Sequence, residues 1–161
     1  MNKKIVLNVC GVKSLGGLKL FLESFDFFVE SGNKLTVLYS EVPFYKDLEN
    51  QFIDSSLVKF VFINKKRFVH PYLNLFLNKN TKKIINSSDA IIHYRNFGFK
   101  TKIKSFILIQ NVLPLVKNDF RNRILRYLIL KSCNFSNYIL IQLNHLKNYL
   151  QILLFEFYLK F

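Results

Sequence analysis

The sequence predicts an α/β fold with a doubly wound, mostly parallel sheet. Two observations support this prediction. Short apolar segments alternate with helical segments along the chain, and the pattern of the first forty residues indicates a strand, a glycine-containing loop, a helix and a second strand. The chain has 161 residues, half of them hydrophobic, which suits one domain that buries a core. We expect residues 1–150 to form this domain and residues 151–161 to be an apolar tail.

The first strand-helix-strand unit is the clearest part of the pattern. Residues 4–9 are apolar and rich in β-branched side chains, which predicts a buried strand. A helix is predicted next, ending near Gly32, and a second strand follows over residues 35–39. The helix is indicated by apolar residues at helical spacing, namely Leu18, Phe21, Leu22, Phe25, Phe28 and Val29.

The alternation continues along the rest of the domain. Further helices are predicted over residues 43–52, 72–86, 120–133 and 144–150. Further strands are predicted over residues 57–63, 89–94, 105–110 and 138–142. Asp119 is placed to cap the third of these helices. Residues 151–161 have no polar face, so they either pack onto the sheet or come from a truncated or out-of-frame gene.

Composition narrows the classes of protein. No apolar run reaches the ~18 to 20 residues of a membrane-spanning helix, and the N-terminal apolar run ends at Asn8, too early for a signal peptide. We therefore expect a cytoplasmic protein.

The two cysteines and three histidines are isolated, which excludes a disulfide framework and predicts no metal site. Lys and Arg outnumber Asp and Glu by 24 to 10, but codon bias in an A/T-rich genome inflates lysine, and only five arginines are present. Nucleic acid is therefore a disfavoured partner.

A first candidate site is the loop after the first strand, which contains Gly16 and Gly17. Ligands bind beyond the carboxyl ends of the strands in a doubly wound sheet. Glycine lets backbone approach a ligand, and a helix N-terminus offers free N–H groups to a phosphate. The alternative is a plain tight turn, since the pair is neither the three-glycine nicotinamide fingerprint nor a P-loop.

Two further candidate sites end the fourth and fifth strands. The first of these sites contains His93, Arg95 and Asn96. The imidazole can carry a proton, the guanidinium presents a permanent positive charge with several N–H donors, and the Asn side chain offers an amide. The alternative there is a buried histidine with one backbone hydrogen-bond partner, beside a solvated arginine. Gln110 and Asn111 place two amides after an apolar strand, which suits hydrogen bonds to sugar hydroxyls or stabilises the turn that follows.

Taken together, these segments resemble the N-terminal, acceptor-side half of a GT-B retaining glycosyltransferase of the bacterial polysaccharide-biosynthesis type. The resemblance spans residues 4 to about 151 and depends on the order and spacing of four segments. They are residues 4–17 (strand and Gly-Gly loop), 88–93 (Asp, apolar run, His), 107–114 (Gln-Asn before Pro) and 136–142.

The resemblance implies a Rossmann-like domain of an enzyme that transfers a sugar from a nucleotide-sugar to a glycan or lipid-linked acceptor. The nucleotide-sugar would be a co-substrate, with no further cofactor. Gly16 and Gly17 would approach the donor phosphates. The implied acceptor-binding residues are His93, Arg95, Asn96, Gln110 and Asn111. The catalytic residue is left open, with His93 as the candidate.

In the family a second domain carries the E-x7-E donor motif, whereas one domain is predicted here, and Glu23 and Glu30 do not form the motif because only six residues lie between them. We therefore expect a fragment that lacks its donor domain, inactive alone and peripheral at the inner face of the membrane, where lipid-linked acceptors lie. One alternative is the acceptor- or membrane-binding subunit of a two-chain transferase. Another is a basic, non-enzymatic module that binds anionic membrane or, less favoured, nucleic acid through its cationic positions. These positions are Lys65, Lys66, Arg67, Lys100, Lys102, Lys104, Arg121, Arg123 and Arg126.

Overall fold

A computed structural model describes residues 2–64, 75, 77–110 and 113–141 of the chain. Its strands are β1 (Lys4–Asn8), β2 (Lys34–Tyr39), β3 (Val58–Phe62), β4 (Ala90–His93), β5 (Lys104–Ile109) and β6 (Tyr138–Ile141). Its helices are α1 (Leu15–Glu30), α2 (Pro43–Gln51), α3 (Lys79–Asn86), α4 (Leu113–Val116) and α5 (Phe120–Phe135). The six strands form one sheet in the order β3-β2-β1-β4-β5-β6, and every pair is parallel. This confirms the predicted doubly wound α/β fold, which is Rossmann-like.

The strand order reverses between β1 and β4, and this reversal decides where a ligand can enter. The chain builds outward from β1 to β3 on one side and from β4 to β6 on the other. Asn8 at the end of β1 lies beside His93 at the end of β4. Connections leaving two such neighbouring strands run to opposite sides of the sheet, so a crevice forms outside their carboxyl ends.

Apolar side chains cover both faces of the sheet, as a parallel sheet requires. On β1, Leu7 packs in the cluster that includes Phe21 and Phe25 of α1, whereas its neighbour Val6 packs in the cluster that includes Ile85 of α3. Alternate strand residues thus point to opposite faces. On the β5 side, Ile107 belongs to a third cluster built with α5.

Aromatic rings fix α1 against the sheet. The Phe21 ring is fully buried and meets the rings of Tyr45 and Tyr94 edge to face, at centroid distances of 5.6 and 5.7 Å. The Tyr94 hydroxyl and the Ser24 hydroxyl share a hydrogen bond of 2.6 Å. Burial of rings of this size dominates the stability of a core, and the hydroxyl contact satisfies the polar end of Tyr94.

The structure corrects one predicted helix. The helix predicted over residues 72–86 is not continuous, because Leu77 and Asn78 are non-helical and α3 begins at Lys79. Asn78 is the N-cap, and its Oδ1 accepts from Thr81 N at 2.8 Å. Leu77 is buried in the core from this non-helical position, which is why its apolar spacing suggested helix. Residues 72–74 and 76 lie outside the described residues.

Other boundaries agree with the sequence or lie beyond the described chain. Asp119 caps α5 as predicted, accepting from Asn122 N at 3.1 Å. The single-turn helix α4 was not predicted; the sequence indicated only a turn there. The helix predicted over 144–150 and the apolar tail over 151–161 lie outside the described residues.

Candidate functional site

A cleft of about 440 Å³ opens at the carboxyl edge of the sheet. The loops after β1 and β4, the residue that follows β5, and helices α4 and α5 form its walls. Its polar lining includes three cations and two amides, namely Lys13, Arg95, Arg121, Asn96 and Gln110. Among the described residues, no Asp or Glu lines it. The structure thus brings together three predicted site residues, Arg95, Asn96 and Gln110, while Asn111 lies outside the described residues.

Arg95 is partly buried and lies directly against the backbone of Gly11. Gly11 has a φ of +78°, in the left-handed region that favours glycine, and a Cβ at this position would collide with the Arg95 guanidinium. The guanidinium carbon lies 5.6 Å from the centroid of the Phe97 ring, within the range of a cation–π interaction. Burial lowers the pKa of Arg95, although an arginine keeps its charge at neutral pH. Contacts with Gly11 and Phe97 thus position the Arg95 guanidinium in the wall of the cleft.

Asn96 connects the ends of two strands. Its side chain is buried, and its Oδ1 accepts from the backbone N–H of Gln110 at 2.8 Å. This bond ties the loop after β4 to the end of β5, so Asn96 positions Gln110. The Gln110 side chain reaches toward α1, because its Oε1 lies 3.3 Å from the place a Cβ on Gly17 would occupy.

His93 is buried and does not line the cleft. Its imidazole is 0% exposed, and its Nδ1 lies 2.8 Å from Asn8 Nδ2. Because Asn8 Oδ1 accepts from Cys10 N, the amide nitrogen donates to Nδ1, which places the proton of the neutral ring on Nε2. Burial lowers the pKa of His93 to about 3, so the ring is neutral at pH 7. Nε2 has no hydrogen-bond partner within the described part of the chain.

Phe99 and Gly98 pack closely against the His93 ring. Its ring meets Phe99 edge to face at 4.9 Å, and a Cβ on Gly98 would lie 2.8 Å from its Cδ2. The arrangement matches the buried histidine that sequence reasoning gave as the alternative, although the partner is the Asn8 side chain rather than backbone. A contact between His93 and an acceptor stays a prediction.

The two candidate glycines differ in their surroundings. Ser14 caps α1, and its Oγ accepts from Gly17 N at 3.3 Å. Gly17 is buried, and an added Cβ would lie 2.8 Å from Val12 Cγ1, so packing requires glycine there. Gly16 is exposed, with nothing within 4 Å of its Cβ position, so it leaves open space at the helix N-terminus. Their approach to donor phosphates stays a prediction.

Gly11, Lys13 and Arg121 are among the lining residues that were not assigned to this site from the sequence. Gly11 and Lys13 follow β1 closely, and Arg121 lies in the first turn of α5. A signal existed, because loops and helices that follow parallel strands begin at their carboxyl edge. By sequence, Arg121 is only one of the general basic positions.

No protein-family model, curated protein or solved structure matches this chain. Within the described ranges, no group of His, Cys, Asp and Glu side chains is arranged to hold a metal ion. The helices described there also include none long and apolar enough to span a membrane. The fold and the cleft therefore define the class of protein: a Rossmann-like α/β domain with a cationic cleft at the carboxyl edge of its sheet.

Proposed function

We propose that the chain is the acceptor-side domain of a GT-B type glycosyltransferase, which transfers a sugar from a nucleotide-sugar to a glycan or lipid-linked acceptor. The observation that supports the proposal is the cleft at the carboxyl edge of the sheet. It gathers Arg95, Asn96 and Gln110, which come from two separate strand ends and are positions that the family resemblance assigns to acceptor contacts.

Sugar transfer needs a positioned acceptor hydroxyl and a stabilised leaving diphosphate. The cleft offers the Gln110 amide and the Arg95 guanidinium as hydrogen-bonding groups for positioning. Among the described residues, no carboxylate lines the cleft, and His93 is buried outside its lining. The domain therefore binds and orients the acceptor, and a second domain supplies the donor site. We expect the purified chain alone to transfer no sugar.

Glycan binding by the purified chain tests the proposal. Saturation-transfer NMR would screen neutral oligosaccharides and short-chain lipid-linked saccharides, with Gln110→Ala as the site variant. Gln51→Ala is the matched control, because Gln51 is exposed at the end of α2 and lies outside the cleft. Loss of one hydrogen bond of about 0.5–1.5 kcal/mol predicts roughly two- to tenfold weaker binding for Gln110→Ala and no change for the control. Saccharide binding that survives Gln110→Ala unchanged, or no saccharide binding at all, would contradict the proposal.

A second candidate function is a non-enzymatic module that binds an anionic membrane. The surface of α5 favours it, because Phe120, Ile124 and Tyr127 are 79%, 46% and 39% exposed and recur at helical spacing. The exposed Arg123 lies on the same helix. An apolar stripe beside cations is typical of helices that lie on a lipid surface. Flotation with phosphatidylglycerol vesicles, lost in Phe120→Ser and absent with phosphatidylcholine, would favour this candidate if no saccharide binds.

A further inference from the structure

We propose that the cleft is a binding site for a phosphate-bearing ligand, a glycosyl or nucleoside diphosphate, held by Lys13, Arg95 and Arg121. The identity of the ligand's organic part rests on the proposed transferase function, whereas the anion site stands on the geometry of this chain alone. In a transferase the phosphate would belong either to a lipid-linked acceptor or to the sugar donor.

The charge of the cleft is the first argument. Three cations line one concavity, and no carboxylate does so among the residues that the structure describes. Cations that converge on a concave surface focus the positive potential and raise the local concentration of anions. Asp119 lies near Arg121 in sequence, but its carboxylate is engaged with Asn122 and does not line the cleft.

Codon bias does not explain this charge. The bias inflates lysine, whereas two of the three cations here are arginines. The whole chain has only five arginines, so two of the five line a single cleft. Arginine presents a planar fork of donors that matches two phosphate oxygens at once, which lysine cannot do.

The position of Arg95 is the second argument. Its guanidinium packs against Gly11, which has no side chain to displace it, and lies 5.6 Å from the centroid of the Phe97 ring. A side chain held in this way loses less conformational freedom when it binds a ligand. Partial burial also disfavours its charged form, and an incoming anion offsets that cost.

The surroundings of the cations suit a diphosphate attached to an organic group. Helix α1 begins directly after Ser14, which lines the cleft, and the N-terminal end of a helix dipole favours negative charge. A volume of about 440 Å³ lies within the range of small-molecule sites and exceeds the needs of a bare ion. The Phe97 ring and Leu125 provide an apolar wall for the ring of a sugar or a base.

Calorimetry with the purified chain tests the proposal. The probes are inorganic pyrophosphate, uridine diphosphate and geranyl diphosphate, with a neutral disaccharide as the uncharged comparison. We expect pyrophosphate to bind, and its affinity to fall between 50 and 200 mM salt because exposed charges are screened. A preference for geranyl diphosphate would support an acceptor phosphate, and a preference for uridine diphosphate a donor phosphate. No binding of any of the three phosphates would overturn the anion site.

Two variants separate a built site from diffuse surface charge. Arg121→Gln should weaken pyrophosphate binding about tenfold, since a charge-assisted hydrogen bond is lost. Arg123→Gln is the matched control: it removes the same charge from the same exposed helix but lies outside the cleft, so binding should stay within about twofold. Equal losses in both variants would overturn the proposal.

A third variant perturbs the site without changing its charge. Gly11→Ala should weaken pyrophosphate binding, because its Cβ would displace the Arg95 guanidinium. Circular dichroism would establish that the variant remains folded. Unchanged affinity in a folded Gly11→Ala chain would count against the role of Arg95. Neutral glycan binding that depends on Gln110, without any phosphate binding, would refute the anion site and leave the transferase proposal standing. Phosphate binding without any glycan binding would refute the transferase proposal and leave the anion site standing.

Discussion

Lowering the pH from 7 to 5 should destabilise this domain through His93. The imidazole is 0% exposed, and burial lowers its pKa to about 3, whereas an unperturbed histidine titrates near 6.5. At pH 5 the unfolded chain therefore binds a proton that the folded chain excludes. The state that binds more protons is stabilised as the pH falls, so acid favours the unfolded state. The stability contributed by neutral His93 is complete above about pH 6.5 and is lost as the pH falls toward 3.

The size of the effect follows from the two pKa values. Within that window each pH unit removes about 1.4 kcal/mol of unfolding free energy. Integration from pH 7 to pH 5 gives a loss of about 2 kcal/mol from His93 alone. With a urea dependence of roughly 1–3 kcal/mol per molar, the unfolding midpoint should fall by about 1 M.

Urea unfolding followed by far-UV circular dichroism at pH 7 and pH 5 measures this loss. The comparison variant is His93→Asn, which keeps an oxygen able to accept from Asn8 but does not titrate. The variant should be less stable at pH 7, because it leaves a cavity, yet lose about 2 kcal/mol less than the parent between the two pH values. The double difference cancels the titration of His70, His145 and the carboxylates. Equal losses in the parent and the variant would refute the reasoning.

Three other substitutions have expected outcomes in thermal or urea unfolding. Gly98→Ala should cost about 1–3 kcal/mol, because its Cβ would lie 2.8 Å from the fully buried His93 ring; an unchanged midpoint would contradict this. Gly16→Ala is the matched control and should be neutral or stabilise by up to about 1 kcal/mol, since nothing lies within 4 Å of its Cβ position; a marked loss of stability would be the contrary result. Asn96→Ala should cost about 1–3 kcal/mol, because Gln110 N loses its acceptor, and a stability equal to the parent's would show that this bond contributes nothing.

The sequence predicted most of the secondary structure because the periodicity of apolar residues is a local property. A short run of apolar and β-branched residues predicts strand β1, the spacing of apolar residues predicts helix α1, and residue type and position predict the N-cap at Asp119. The helix predicted over 72–86 was wrong at Leu77 and Asn78, where buried apolar spacing continued through a helix start. Spacing reports which residues are buried, but it does not report the backbone conformation that buries them.

The candidate site was predicted in part for a comparable reason. Arg95, Asn96 and Gln110 end predicted strands, and the fold class alone places strand ends at one edge of the sheet. The positioning role of Asn96 could not be predicted, because its hydrogen bond to Gln110 joins residues fourteen positions apart in different loops. The burial of His93 likewise depends on Asn8 and Phe99, which lie on other segments.

Hydrophobic periodicity and local capping are properties of the amino-acid sequence, so the fold class, the order of elements along the chain and the strand ends at which polar residues collect could all be predicted from it. The strand order, with β1 beside β4, is visible only in the folded molecule. The same holds for the contact of Arg95 with Gly11 and for the cleft that Arg95 shares with Lys13 and Arg121. The physical reason is that these contacts join residues far apart in sequence, which come together only when helices on both faces bury the sheet.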